Sequence, residues 1–166
     1  MMKRLYRVLA YLIAAGVVLQ AAAIAYAVFG MFEWVAGGGT IDKALIESNN
    51  PQIGGIIGFD LHQRVGVTIL PLLALLFLIS SFFARVPGGI RWGLIVFAAT
   101  LAQSLLGIYA HHSSAVGWLH GAMALILFTC AVVSGTRVNR ALANRALAST
   151  QLESASAPQP AQPQGA

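Results

Sequence analysis

Four long apolar runs dominate the chain and predict four membrane-spanning helices. The runs cover about residues 8–32, 57–84, 90–111 and 116–134. A run of about 20 apolar residues is long enough to cross the apolar core of a bilayer as a helix. The links RVPGGIR and SSAVG are short, which favours neighbouring helices that alternate in direction. The pattern therefore predicts an all-α fold, a four-helix transmembrane bundle in up-down-up-down order, within residues 1–136.

The longest polar insertion, residues 33–56, predicts an outer loop between the first two spans. It contains Ile41, Leu45 and Ile46 at a spacing that places them on one face of a short helix in the membrane interface. Two alternatives follow for this loop. It is an ordinary connection, or it is a lid over whatever the spans hold.

Two further features modify the helical pattern. Pro71 lies within the second run and lacks a backbone donor, which predicts a kink near mid-membrane. After the last run, residues 137–149 are basic and rich in helix-forming residues, so they predict a cytoplasmic helical extension along anionic headgroups. Residues 150–166 are rich in Ala, Gln, Ser and Pro and predict a disordered tail.

Composition and charge place the chain in a bilayer rather than on nucleic acid. Hydrophobic residues make up 58% of the chain and charged residues 9%, which is too few charges for a water-exposed surface. The basic residues flank the apolar runs in three groups, which is the positive-inside pattern. The groups are Lys3, Arg4 and Arg7; Arg85 and Arg91; and Arg137, Arg140 and Arg145. We therefore expect an integral protein of a cell or inner membrane, with both termini cytoplasmic and no nucleic-acid partner.

The first run has an alternative interpretation as a cleaved signal peptide. A basic start, an apolar stretch and the triplet Ala25-Tyr26-Ala27 match the pattern of such peptides. The apolar run continues past the triplet, which favours a retained span.

Two short matches indicate an internal duplication. The first span contains LQAAAIAYA and the third contains AQSLLGIYA, so that Gln20 precedes Tyr26 by the same interval as Gln103 precedes Tyr109. Leu-His pairs then open the second and fourth spans. The pattern predicts two helical hairpins related by an approximate twofold axis along the membrane normal.

His62 and His120 lie in corresponding places near the starts of the second and fourth spans. Ionisable groups inside spans are costly and point to function. Both are expected roughly 7 Å from the helix start at 1.5 Å per residue. The diagonal of a square bundle is about 13 Å at ordinary helix spacing, which matches the reach of two histidines that bind one metal. The sequence therefore predicts a heme b held between His62 and His120 near the outer face.

Small residues and one arginine flank this pair. The small residues, about one turn from the histidines, are Gly58, Gly66, Gly117 and Ala124. They leave room for a porphyrin, or alternatively they serve close packing between helices. Arg64 is placed to pair with a heme propionate, or alternatively to reach lipid phosphate.

Other polar residues are weaker candidates. His111 and His112 end the third span at the water boundary, where either is an alternative ligand or a propionate contact. Asp60 and Glu47 are the carboxylates nearest the histidines in the chain, but their spacing does not predict a tight metal site. The sequence contains no pattern typical of a nucleophile with its base, of a phosphate loop or of a nucleic-acid-binding motif.

The pattern AQSLLGIYA, a short loop and then WLHGAMALILF resembles the third and fourth helices of a half-repeat from the heme A synthase family of membrane heme proteins. In that family a Gln-x-x-x-Gly helix end precedes a helix that begins Leu-His, and VLQ and LHQRVG fit the same half. The resemblance covers about residues 8–134. It implies a four-helix bundle with His62 and His120 as axial heme ligands.

The chain also departs from that family. It has one half where the family has two, it lacks the cysteine pair of the first outer loop, and Phe59 stands where an acidic residue is expected. The resemblance therefore implies heme binding rather than heme A synthesis, in a small single-half protein.

Three functions follow from these observations. The leading hypothesis is a membrane b-type heme protein for electron transfer or for heme handling or sensing. If it is an enzyme, it is a heme-dependent oxidoreductase, with a redox partner or a larger membrane complex. The second is an accessory or structural membrane subunit without cofactor, in which the histidines hydrogen-bond across helices. The third is a passage for metal ions or small solutes.

Overall fold

The protein is almost entirely helical in the part of the chain that the computed structural model describes, residues 1–48 and 53–156. Its α-helices are α1 (Met2–Ala36), α2 (Lys43–Ser48), α3 (Ile57–Arg64), α4 (Leu70–Ala84), α5 (Gly89–Ala110) and α6 (Ser114–Ser156). A π-helical turn over Val65–Ile69 joins α3 to α4, so that Ile57–Ala84 forms one continuous second span.

Four helical stretches are long and apolar enough to cross a membrane, as predicted. They are Met2–Ala36, Ile57–Ala84, Gly89–Ala110 and the first part of α6, Ser114–Arg140. Their outward faces carry large apolar side chains, among them Leu19, Phe29 and Leu125, each at least 68% exposed. Contiguous apolar surface of this extent is unfavourable in water but compatible with lipid chains. The chain is an integral membrane protein built as a multi-pass helical bundle.

The helix ends differ from the prediction, most of all in α6. The predicted fourth span ends at about residue 134, but α6 continues without a break to Ser156. The segment 137–149 is thus the second half of one helix. Residues 150–156, predicted to be disordered, are helical, because Gln151, Leu152, Glu153 and Ala155 favour helix and the first proline of this region is Pro158. The rest of the predicted tail, residues 157–166, lies outside the described residues.

The four spans pack as a ring. Helix α1 packs against the second span and against α6, and α5 packs against the same two partners. The second span and α6 therefore face each other across the interior, as do α1 and α5. This arrangement lets side chains of the second span and α6 meet inside the bundle.

An apolar core fills one half of the bundle. It includes Tyr6, Ile13, Phe77, Val96 and Leu127, which are fully buried, and the Tyr6 and Phe77 rings lie 4.5 Å apart. Burial of aromatic and branched side chains excludes lipid and fixes the spacing of the helices at this level.

In the other half, helix α1 meets the start of the second span backbone to backbone. The position of a Cβ on Gly30 is occupied by the Gly54 carbonyl, and that on Gly58 by the Ala23 carbonyl oxygen. Gly55 has a φ of +78°, which favours glycine. Gly58 therefore serves helix packing, which was one of its two predicted roles.

One end of the bundle, the basic end, carries Arg7 and Arg137 beside the link between α4 and α5. Arg7 of α1 donates a hydrogen bond of 2.9 Å to the Asn139 side chain of α6. Arg137 donates to the Pro87 carbonyl at 3.2 Å and lies over the Trp92 ring. These contacts bring the first and last helices together with the link between α4 and α5.

The polar segment between the first two spans contains the short helix α2, which includes Leu45 and Ile46 but not Ile41. The Asp42 carboxylate accepts a hydrogen bond of 2.7 Å from the Leu45 backbone N–H and so caps this helix. The side chains of Ile46 and Glu47 and the whole of residues 49–52 lie outside the described part of the chain. The lid remains a prediction.

Candidate functional site

His62 and His120 meet inside the bundle. Their ring centroids are 5.9 Å apart and their planes are inclined by 72°. His62 lies in α3 and His120 in α6, each within the first two turns of its helix. The second span and α6 face each other across the interior of the bundle. Each imidazole therefore reaches inward past α1 or α5 to meet the other. Both rings are partly buried.

Each imidazole is oriented by a backbone carbonyl of a neighbouring helix. Nδ1 of His62 lies 3.1 Å from the Gln20 carbonyl oxygen, and Nδ1 of His120 lies 3.1 Å from the Gln103 carbonyl oxygen. A carbonyl only accepts, so Nδ1 donates in both cases. In the neutral ring the lone pair then resides on Nε2, which is the nitrogen left for a ligand.

The two Nε2 atoms differ in their surroundings. Nε2 of His120 lies 3.3 Å from the side-chain amide nitrogen of Gln103, which donates to it. Within the described residues, no group hydrogen-bonds Nε2 of His62.

Two glutamine side chains beside the pair have buried amide atoms without hydrogen-bond partners among the described residues. Gln20 is 8% exposed, and neither polar atom of its side chain has a hydrogen-bond partner among the described residues. The Oε1 atom of Gln103 has none either. A buried amide without partners costs about 1–3 kcal/mol, so ordered water is expected to satisfy these groups.

Gly107 makes the approach of His120 possible. A Cβ on Gly107 would lie 2.9 Å from Cε1 and 3.2 Å from Nδ1 of the imidazole. Gly107 follows Gln103 by one helical turn, so its missing side chain uncovers the Gln103 carbonyl. The Gln-x-x-x-Gly spacing was visible in the sequence, but the roles of the glutamine carbonyls were not predicted.

The π-helical turn shapes the second span just after His62. The Leu70 N–H bonds to the Val65 carbonyl in π register, so the Gly66 carbonyl would need a donor at residue 71, which is proline. The Ser104 hydroxyl of α5 lies 2.9 Å from that oxygen and 3.1 Å from the Thr100 carbonyl, and shares its hydrogen between them. A π turn, a feature often found at functional sites, thus lies beside Pro71. The kink predicted at Pro71 remains a prediction.

The other predicted flanking residues lie in varied places. Gly66 faces the Gln20 amide, whose nitrogen would be 3.4 Å from a Cβ at this position. Gly117 has open space, with Ala110 the nearest neighbour at 4.0 Å. Ala124 packs against the apolar core.

The predicted charged and water-boundary residues do not contact the histidine pair. Arg64 donates a hydrogen bond of 2.7 Å to Asp60 on the same helix, and its side chain is 77% exposed. His111 and His112 are exposed in the turn after α5. In the described residues, no group of three or more His, Cys, Asp or Glu side chains is arranged to hold a metal ion.

Two surface cavities lie away from the histidines. One of about 590 Å³ is lined by the end of α1 and the glycines after it, including Glu33 and Trp34. The other, of about 200 Å³, lies at the basic end beside Arg85 and Arg91. Neither includes His62 or His120.

Comparison with known proteins adds no relative to this picture. No protein-family model, curated protein or solved structure matches this chain.

Proposed function

We propose that this membrane protein binds heme b, with His62 and His120 as the two axial ligands, and that it transfers electrons or handles or senses heme. The observation that carries the proposal is the pairing of two inward-facing imidazoles whose Nδ1 atoms are both held by backbone carbonyls.

The separation of the rings suits this role. Their ring centroids are 5.9 Å apart, which is close enough for both imidazoles to share one metal ion. His62 and His120 would each hold the iron through Nε2, the nitrogen that carries the lone pair when Nδ1 donates to a carbonyl.

The carbonyl contacts supply the outer shell that such ligands use. A metal-binding histidine commonly donates its other N–H to a carbonyl or carboxylate, which fixes the tautomer and makes the ligating nitrogen more basic. Here the Gln20 and Gln103 carbonyls act in this way. When bound, heme supplies reversible one-electron chemistry, and the protein sets its potential through ligand identity, burial and hydrogen bonding.

The donor set favours heme over a bare metal ion. A metal ion bound by protein alone usually needs three or four side-chain ligands, and no such group occurs among the described residues. A porphyrin contributes four nitrogens itself, so two histidines complete the coordination. Arg64, with its exposed side chain, remains a candidate partner for a propionate, and Gly66 and Ala124 remain candidates for the porphyrin's surroundings.

The finer architecture belongs to the same proposal. We infer that the spans alternate in direction and form two related hairpins with the basic end in the cytoplasm. Two features support this. The glutamine carbonyl of the first helix in each hairpin holds the histidine of the second. The core residues precede the glutamine in α1 and α5 and follow the histidine in the other two spans.

An absorption spectrum tests the proposed function. Protein purified in detergent from heme-replete cells is expected to show a Soret band and, after reduction, a sharp alpha band. His62→Ala and His120→Ala should each abolish the reduced six-coordinate spectrum, whereas His111→Ala, at an exposed histidine outside the pair, should keep it. A colourless preparation of folded protein would contradict the proposal.

A second function, as an accessory membrane subunit without cofactor, has one observation in its favour. Both imidazoles already hydrogen-bond across helices, and such bonds stabilise membrane bundles by roughly 1 kcal/mol each. Under this alternative the alanine variants lose stability but no colour, and the same spectra separate the two functions.

A further inference from the structure

We propose that Gln103 competes with iron for the Nε2 lone pair of His120, so that His120 is the exchangeable ligand of the pair and His62 the fixed one. The loaded protein would then accept a small neutral ligand such as carbon monoxide on the His120 side. This inference rests on the heme-binding function proposed above.

The competition follows from the hydrogen bonds of His120. Its Nδ1 donates to the Gln103 carbonyl, so the ring hydrogen is on Nδ1 and Nε2 can only accept. The group at 3.3 Å from Nε2 is the amide nitrogen of the same glutamine. One residue therefore holds both nitrogens of the ring, and the amide uses the lone pair that a metal would need.

His62 has no equivalent competitor. Its Nδ1 is held by the Gln20 carbonyl in the same way, but no described residue donates to its Nε2. The Gln20 amide is buried and has no partner among the described residues, so it lies near the pair without holding the ligating nitrogen. If the His120 imidazole leaves the iron, its Nε2 regains the hydrogen bond from the Gln103 amide. If the His62 imidazole leaves, no described residue donates a hydrogen bond to its Nε2.

Leucine substitutions isolate the amides, because the backbone carbonyls that orient the rings stay in place. Gln103→Leu removes the competitor, and Gln20→Leu is the matched control at the corresponding glutamine. A side-chain hydrogen bond between membrane helices changes an equilibrium by about three- to thirtyfold. Gln103→Leu should therefore tighten heme binding to the metal-free protein by about this factor, whereas Gln20→Leu should not.

The affinity for carbon monoxide provides a second measurement, which should change in the opposite direction to the affinity for heme. In the reduced, loaded protein, carbon monoxide must displace one imidazole before it binds. In Gln103→Leu the displaced His120 imidazole has no amide to donate a hydrogen bond to its Nε2, so displacement costs more free energy. Gln103→Leu should therefore weaken carbon monoxide binding by about three- to thirtyfold, measured by a Soret titration. Gln20→Leu should leave it unchanged.

The outcomes separate this inference from the function on which it rests. A colourless wild-type protein would refute heme binding and the exchangeable ligand together. A coloured protein in which the two leucine variants have equal affinities for heme and for carbon monoxide would refute the inference alone. Tighter heme binding together with weaker carbon monoxide binding in Gln103→Leu only would support it.

Discussion

At the scale of single residues, the position of the His120 ring depends on an absent side chain. Gly107 leaves the surface of α5 open where the imidazole reaches the Gln103 carbonyl. The corresponding place one turn after Gln20 is Ile24, so the two halves of the site are not built identically. A residue that carries no chemistry thus determines how the His120 imidazole is oriented.

Gly107→Val should displace His120. The new Cβ would lie 2.9 Å from the imidazole Cε1, and overpacking of this kind costs about 1–3 kcal/mol. We expect heme affinity to fall by about five- to a hundredfold, measured by titration of the metal-free protein. Gly121→Val is the matched control, since a Cβ there meets no atom within 4 Å. Equal heme affinities in the two variants would show that Gly107 does not position the ring.

The sequence predicted which histidines meet but not what holds them. Both histidines were recognisable as polar residues at equal depth in two apolar runs. The groups that orient them are backbone carbonyls, and residue type does not encode which carbonyl is accessible. The spacing of Gln103 and Gly107 indicated that the Gln103 carbonyl is accessible. Only the packing of α6 on α5 shows that His120 bonds to it.

At the scale of elements, the second span is irregular where the site needs it. The π turn over Val65–Ile69 separates α3, which carries His62, from the straight α4. Pro71 accounts for the missing donor, and the Ser104 hydroxyl of α5 replaces it at the Gly66 carbonyl. The link ties the irregular turn to the helix that also carries Gln103.

Ser104→Ala should loosen this turn. The Gly66 carbonyl loses its donor, and membrane hydrogen bonds of this kind contribute about 0.6 kcal/mol on average and at most about 1.7 kcal/mol. The free energy of unfolding in detergent is expected to fall by about this amount. Ser80→Ala is a suitable control, because among the described residues the Ser80 hydroxyl bonds only to the Phe77 carbonyl of its own helix. A loss in Ser80→Ala as large as in Ser104→Ala would contradict the role assigned to Ser104.

The sequence predicted the spans themselves well, because apolar runs long enough to cross lipid leave few alternatives. It did not predict the continuation of α6 to Ser156. Hydropathy marks where a helix leaves lipid, whereas the helix itself ends only where its backbone is interrupted. The proline in the second span predicted a kink. The π turn beside it, and the serine of a neighbouring helix that bonds to this turn, were not predicted.

At the scale of the whole molecule, the arginines of the basic end and the histidine pair lie at different levels of the bundle. Arg7 and Arg137 lie at the basic end, where Arg7 reaches Asn139 and Arg137 reaches Pro87. The histidine pair lies beyond the apolar core, on the side away from them. With the basic end in the cytoplasm, the proposed heme would lie nearer the outer leaflet.

Cysteine labelling tests this orientation. In a Cys130→Ala background, which removes the native cysteine, Thr40→Cys should react with a membrane-impermeant maleimide in intact cells. Thr150→Cys should react only after the membrane is opened. Both positions are exposed, so the side of the membrane on which each cysteine lies, rather than its burial, decides whether it reacts with the maleimide. The reverse pattern would place the basic end outside and overturn the proposed orientation.

One heme is proposed to lie between His62 and His120. The most direct measurement is low-temperature electron paramagnetic resonance of the oxidised, purified protein with the heme content determined in parallel. We predict one heme per chain with a low-spin signal typical of two imidazole ligands, and loss of that signal in both His62→Ala and His120→Ala. A low-spin signal that survives either substitution, or folded protein without heme, would contradict the account.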